Sequence, residues 1–143
     1  MRFMMLMIPK GYENASPDAM PDAESVAAMM KYNESLQKAG VLLALDGLKP
    51  PSMGRRVAFA GEHPQVTDGP FAEAKEAIGG YWMIDVKSLD DAVEWATRCP
   101  ASGNAVIEIR QVQEFADFPD DVQKAAARFS SVRGAAGKPR GAA

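Results

Sequence analysis

The run Phe3-Met4-Met5-Leu6-Met7-Ile8 near the N-terminus constrains the fold more than any other stretch. Strand side chains alternate between two faces, so Phe3, Met5 and Met7 point one way and Met4, Leu6 and Ile8 the other. A strand apolar on both faces needs cover on both, which places it in the middle of a sheet. Pro9-Lys10 stops the run short of a signal-peptide core, and nothing in the chain approaches the ~20 apolar residues of a membrane helix. The expectation is a cytoplasmic protein with no membrane partner.

Beyond a loop rich in Gly, Asn, Ser and Pro (10–21), Val26, Met29, Met30, Asn33 and Leu36 fall on one helical face, and Gly40 is placed to end the helix in a left-handed cap. Val41 to Leu45 follows as a strand. Lys49-Pro50-Pro51-Ser52 turns the chain into a further strand, Arg55 to Ala60, with Val57 and Phe59 on one face; Gln65-Val66-Thr67 extends it or adds a short one. Residues 68–80 read as an ordered loop with at most one helical turn. Tyr81 to Val86 is rich in aromatic and β-branched residues and reads as a strand. By parity Tyr81 pairs with Met83 on the outer side, and Trp82 joins Ile84 and Val86 in the core. Ser88-Leu89-Asp90-Asp91 caps a second helix with Leu89, Ala92, Val93 and Ala96 as its buried stripe. Ala105 to Val112 is the last core strand, and Asp120 to Phe129 a terminal helix.

Strand, helix, strand, strand, helix, strand is the split βαβ order of α+β, ferredoxin-like domains: an antiparallel sheet with two helices on one face, here with an added C-terminal helix. Two helices cover one face only. The economical cover for the other face of the first strand is the same face of a second copy, so a homodimer with sheet against sheet is expected, unless the terminal helix takes that place. The expected organisation is one domain over 1–115, a helical extension over 116–132 and a Gly/Ala/Lys/Pro/Arg tail over 133–143. The length of 143 residues suits this, with a core that needs no disulfide or metal. A net charge of −3 argues against a nucleic-acid partner.

The chain has one histidine, His63 in a turn, and one cysteine, Cys99, which reads as a partly buried filler at a helix end. There is no CxxC pair, no Gly-rich phosphate loop and no dinucleotide fingerprint, so no cofactor and no metal site are expected. The polar residues that could carry chemistry gather in one stretch. Asp68, Glu73, Lys75 and Glu76, with Tyr81 beyond, offer carboxylates, an ammonium and a phenol for general acid–base work. Two readings stand for Asp68, acid–base group or turn brace, and Glu73 reads more simply as surface. Glu108 and Arg110 share the outer face of the last strand, either as a structural ion pair or with Arg110 anchoring an anion, to which Arg55 and Arg56 could add.

The segment Thr67-Asp68-Gly69-Pro70-Phe71-Ala72-Glu73-Ala74-Lys75-Glu76, followed by Gly79-Gly80-Tyr81 and Asp85, resembles the DGPF group of the YCII-related family. So do the Met1-Arg2-Phe3-Met4 opening, the Ala39-Gly40-Val41-Leu42 junction, Ala92 to Pro100, and Glu108-Ile109-Arg110. The resemblance implies a dimeric α/β barrel and a small bacterial protein, with some relatives linked to extracytoplasmic-function sigma factors. Other branches have been suggested to be enzymes with a histidine–aspartate pair; His63 lies outside the motif, so that pair is not carried over. The functional expectation is a small-molecule binder or general acid–base enzyme, with the site beside the dimer interface. Asp68, Glu76 and Tyr81 would be catalytic, Lys75, Arg110, Glu108 and Glu73 would hold a small anionic ligand, and Gly69, Pro70 and Phe71 would be structural. The alternative is a non-catalytic accessory module tied to a sigma factor.

Overall fold

The structure, a computed structural model, describes residues 1–129 and 132; the tail expected over 133–143 lies outside the described residues. The strands are β1 (Arg2–Ile8), β2 (Leu42–Gly47), β3 (Arg55–Ala58), β4 (Gln65–Asp68), β5 (Gly80–Asp85) and β6 (Val106–Gln111). The helices are α1 (Ala23–Lys38), α2 (Leu89–Thr97) and α3 (Asp120–Ala126). Four strands form an antiparallel sheet in the order β2-β5-β1-β6. Inserting β5 between the parallel pair β1 and β2 makes this the split βαβ arrangement of a ferredoxin-like α+β fold. As the two-faced apolarity of β1 requires, that strand is internal.

The helix ends follow local chemistry. Asp22 accepts hydrogen bonds from the Ser25 amide (2.8 Å) and hydroxyl (2.9 Å), which hold its carboxyl below the usual range. At the other end of α1, Gly40 has φ +74°. Its amide donates to Gln37 and that of Val41 to Leu36, closing a Schellman motif. Ser88 Oγ caps α2 by accepting from the Asp91 amide at 3.1 Å.

Phe3, Met5, Trp82 and Ile84 meet Tyr32, Leu36 and Ala92 in the core between sheet and helices. Phe3, Met5, Leu36 and Ile84 are almost wholly buried, and each contributes about 1.5–3 kcal/mol by leaving water. One hydrogen bond nets only about 1 kcal/mol, so packing supplies the stability and polar contacts select the arrangement. Trp82 shows the second role: its indole donates to Asn33 Oδ1 (2.7 Å) and its ring meets Tyr32 edge-on, centroids 5.7 Å apart. Tyr32 in turn donates to the Trp95 carbonyl on α2 (2.7 Å).

Three expectations are corrected. The strand expected over Arg55–Ala60 is not part of the main sheet: β3 ends at Ala58 and pairs only with β4, leaving Val57 at 50% and Phe59 at 86% exposure. An apolar alternation two residues long does not specify a partner. On α1 the expected Met29, Asn33 and Leu36 do face the core, but Val26 and Met30 are exposed and Tyr32 is buried in addition, because its ring fills the space above Trp82. On α2 the expected Ala92 and Ala96 face inward together with Trp95, while Leu89 and Val93 are exposed.

The sheet face away from the helices presents half-buried Met4, Leu6 and Met83. At its end Arg2 makes a two-point pair with Glu114 (Nε–Oε1 2.7 Å, Nη2–Oε2 2.9 Å), tying the segment after β6 to β1. That pair holds the Glu114 carboxyl below its ordinary value.

Replacing Asn33 with Ala leaves the buried indole N–H without an acceptor and should cost about 1–3 kcal/mol in urea denaturation. Because the Glu114 pKa is depressed by folding, its contribution is present above the ordinary carboxylate value and is lost as pH falls through the folded value. The stability difference between wild type and Glu114→Gln should therefore be largest near neutrality and close in acid, as read from urea midpoints across pH.

Candidate functional site

The residues singled out in the sequence divide between two places. One is the base of the β3–β4 hairpin, where the register sets Arg55 opposite Asp68 and Arg56 opposite Thr67. Arg55 Nε donates to Asp68 Oδ1 at 2.8 Å, and the Arg56 guanidinium lies 4.0 Å over the Phe71 ring. Gly69, joined to Pro70 by a cis peptide, donates its amide to the Gly54 carbonyl at 2.9 Å. A Cβ at Gly69 would lie 1.7 Å from the Pro51 carbonyl oxygen, so only glycine fits against the Pro51–Met53 turn. Ser52 Oγ carries the chain of contacts on to the Ala15 carbonyl (3.2 Å). The Asp68-Gly69-Pro70-Phe71 segment is thus a clasp between the hairpin and the turn before it.

As acid–base equipment this clasp is poorly placed. Asp68 is 78% exposed and held by an arginine that is 72% exposed, and acids or bases tuned for catalysis need burial or a charge-dense cleft. Glu73, Lys75 and Glu76 are exposed on the loop that follows, and no ion pair among the described residues ties them to Arg110 or Glu108. A groove of about 600 Å³ opens between α1 and β2, and another of about 350 Å³ beside α2. Neither is lined by any residue from 67 to 81.

The second place is the outer face of the sheet. The registers align Asp46, Tyr81, Leu6 and Glu108 in one row across four strands, and Ala44, Met83, Met4 and Arg110 in the next. Tyr81 donates its hydroxyl to Asp46 Oδ2 at 2.8 Å, and Arg110 lies 3.5 Å from Glu108. With neighbouring strands about 4.8 Å apart, Tyr81 and Glu108 flank Leu6 across roughly 10 Å. The structure therefore brings Glu108 to Arg110 and Tyr81 to Asp46, a residue not singled out in the sequence. Its signal was parity: Asp46 ends an apolar strand on the same side as Ala44, with Tyr81 across the ladder.

Cys99 is half-buried against Met29, and burial pushes its thiol up to about 11, which suits a filler and not a nucleophile. No group of three His, Cys, Asp or Glu residues is arranged to hold a metal ion among the described residues, and none of their helices is long and apolar enough to cross a membrane.

A split βαβ sheet with both helices on one face, a polar-rimmed apolar face on the other and a clasped hairpin arm defines the class of domain. The chain belongs to the YCII-related domain family, whose model matches residues 1–116. It is 37% identical over 70 residues to an uncharacterised protein of Rhizobium meliloti (strain 1021), a match covering 49% of this chain and 53% of that protein. The chain thus spans about half the length of that curated relative.

Gly69→Ala should destabilise the protein by about 3 kcal/mol or more, since the intruding methyl meets backbone on a side that cannot yield. Asp68→Asn, which removes only an exposed ion pair, should cost under about 1 kcal/mol. Thermal melts of the two variants side by side check this ordering.

Proposed function

We propose that the chain binds a small anionic molecule on the outer face of its sheet, in a cleft that a second copy closes, and that Tyr81 and Asp46 can handle a proton there. The observation that carries this reading is the Tyr81–Asp46 hydrogen bond (2.8 Å) beside an apolar floor of Met4, Leu6 and Met83. Half-buried Met4, Leu6 and Met83 favour a covering partner, and the self-complementary cover is the same face of another copy. Once water is excluded, a phenol and a carboxylate in contact can orient and exchange a proton with a bound oxygen. Arg110, two residues from its Glu108 partner, would supply the charge for a carboxylate or phosphate. In this reading Asp68 is a brace, and Glu73, Lys75 and Glu76 border the site only if the partner copy brings its own loop to it.

The test joins assembly to binding. Wild type should sediment as a dimer at micromolar concentration, and Leu6→Lys as a folded monomer. Inorganic phosphate or succinate should shift the amide resonances of β5 and β6 in wild type, and Arg110→Ala should lose those shifts. A wild-type monomer, or a dimer that neither anion perturbs, overturns the proposal.

A second reading, a non-catalytic accessory module that docks a protein such as a sigma factor, is favoured by the hairpin: Val57 and Val66 face each other at 50% and 63% exposure, with Phe59 at 86%. Phe59→Ser should then abolish partner capture while leaving the sedimentation of the protein unchanged.

A further inference from the structure

Strand β2 is an outer strand of the sheet, and α1 runs beside it on the helix side, opposite the face considered above. The groove of about 600 Å³ between them has Leu42 and Leu45 as its apolar wall, Met30 above, and Lys31, Glu34 and Gln37 along the rim. That volume falls within the ~300–1,000 Å³ of small-molecule sites. Asn33 stands at its inner side with only 8% of its surface exposed.

The amide of Asn33 is oriented by the core. Its Oδ1 accepts from the Trp82 indole, so its Nδ2 is directed elsewhere, and the acceptor it finds is Met30 Sδ at 3.6 Å. An amide nitrogen carries two donors, and a thioether is a weak acceptor. A buried donor served so poorly gains by meeting an oxygen. The charges at the rim point the same way: Glu34 is paired with Lys38 at 3.0 Å, whereas Lys31 has no ion pair among the described residues. The groove therefore offers an amide donor whose acceptor is a thioether, a cation with no ion pair among the described residues and an apolar wall, and Met30 is flexible enough to swing aside.

We propose that this groove binds a small amphipathic carboxylate, its carboxylate accepting from Asn33 Nδ2 and facing Lys31, its aliphatic body lying along Leu42 and Leu45 beneath Met30. The site is on the opposite side of the sheet from Tyr81 and does not depend on a second copy, so its fate is separate from that of the outer-face reading.

Octanoate is the probe, with octanol as its uncharged counterpart, and the readouts are the Asn33 side-chain amide and Trp82 indole resonances in nitrogen-15 correlation spectra. Octanoate should shift both signals saturably, and octanol should bind at least about tenfold more weakly. Lys31→Glu, a surface change, should weaken octanoate by about tenfold. Asn33→Asp keeps an oxygen for the indole but removes the donor, and should abolish the shift at Trp82. If that variant does not fold, Lys31→Glu and octanol decide the matter. The absence of a saturable shift, equal binding of octanol, or unchanged affinity in Lys31→Glu overturns the proposal.

Discussion

Trp82 is the point on which the architecture turns. It sits on the inner side of β5, a strand paired on both flanks, and its indole N–H must find an acceptor once the ring is buried. Asn33 supplies that acceptor, which fixes the rotation of α1 over the sheet, and Tyr32 on the preceding helical position packs against the ring and reaches α2 through the Trp95 carbonyl. Both helices are thereby committed to one side. The other side of β1 and β5 is left with half-buried Met4, Leu6 and Met83, the face on which the proposed site lies.

The same interaction explains which parts of the fold were legible in the sequence. The central position of β1, the parity of Tyr81 and Trp82, the Gly40 cap and the Ser88 cap all rest on rules that act within a few residues, and each is met in the structure. The face of α1 was legible at Met29, Asn33 and Leu36, whereas Val26 and Met30 look more core-like than the Tyr32 that is buried instead; Asn33 is held inward by the indole of a residue 49 positions away. Arg55 to Ala60 misled for a related reason. Its alternation is genuine, but whether an apolar strand joins the sheet depends on the turns at its ends, and the Pro50–Gly54 turn carries this one away.

Of the candidate site, the sequence disclosed the parts and not their grouping. Tyr81, Glu108 and Arg110 do share the outer face, as parity requires, whereas the pairing of Asp46 with Tyr81 became visible only through the register between β2 and β5. The motif that draws the eye in the sequence is dense in conformationally special residues, and its density reflects geometry: Gly69 allows backbone to meet backbone, Phe71 and Asp68 each take one arginine of the facing strand. A strong sequence pattern can thus mark where a chain must be folded tightly.

The hairpin held by that clasp has its own hydrogen-bond ladder, separate from the four-stranded sheet. Lengthening its tip, between Ala58 and Gln65, would alter no register in the main sheet and would displace no buried side chain. The tip is therefore a natural place to graft a peptide epitope or a reporter, since loops of this kind accept added residues at an entropic cost that grows only slowly with length.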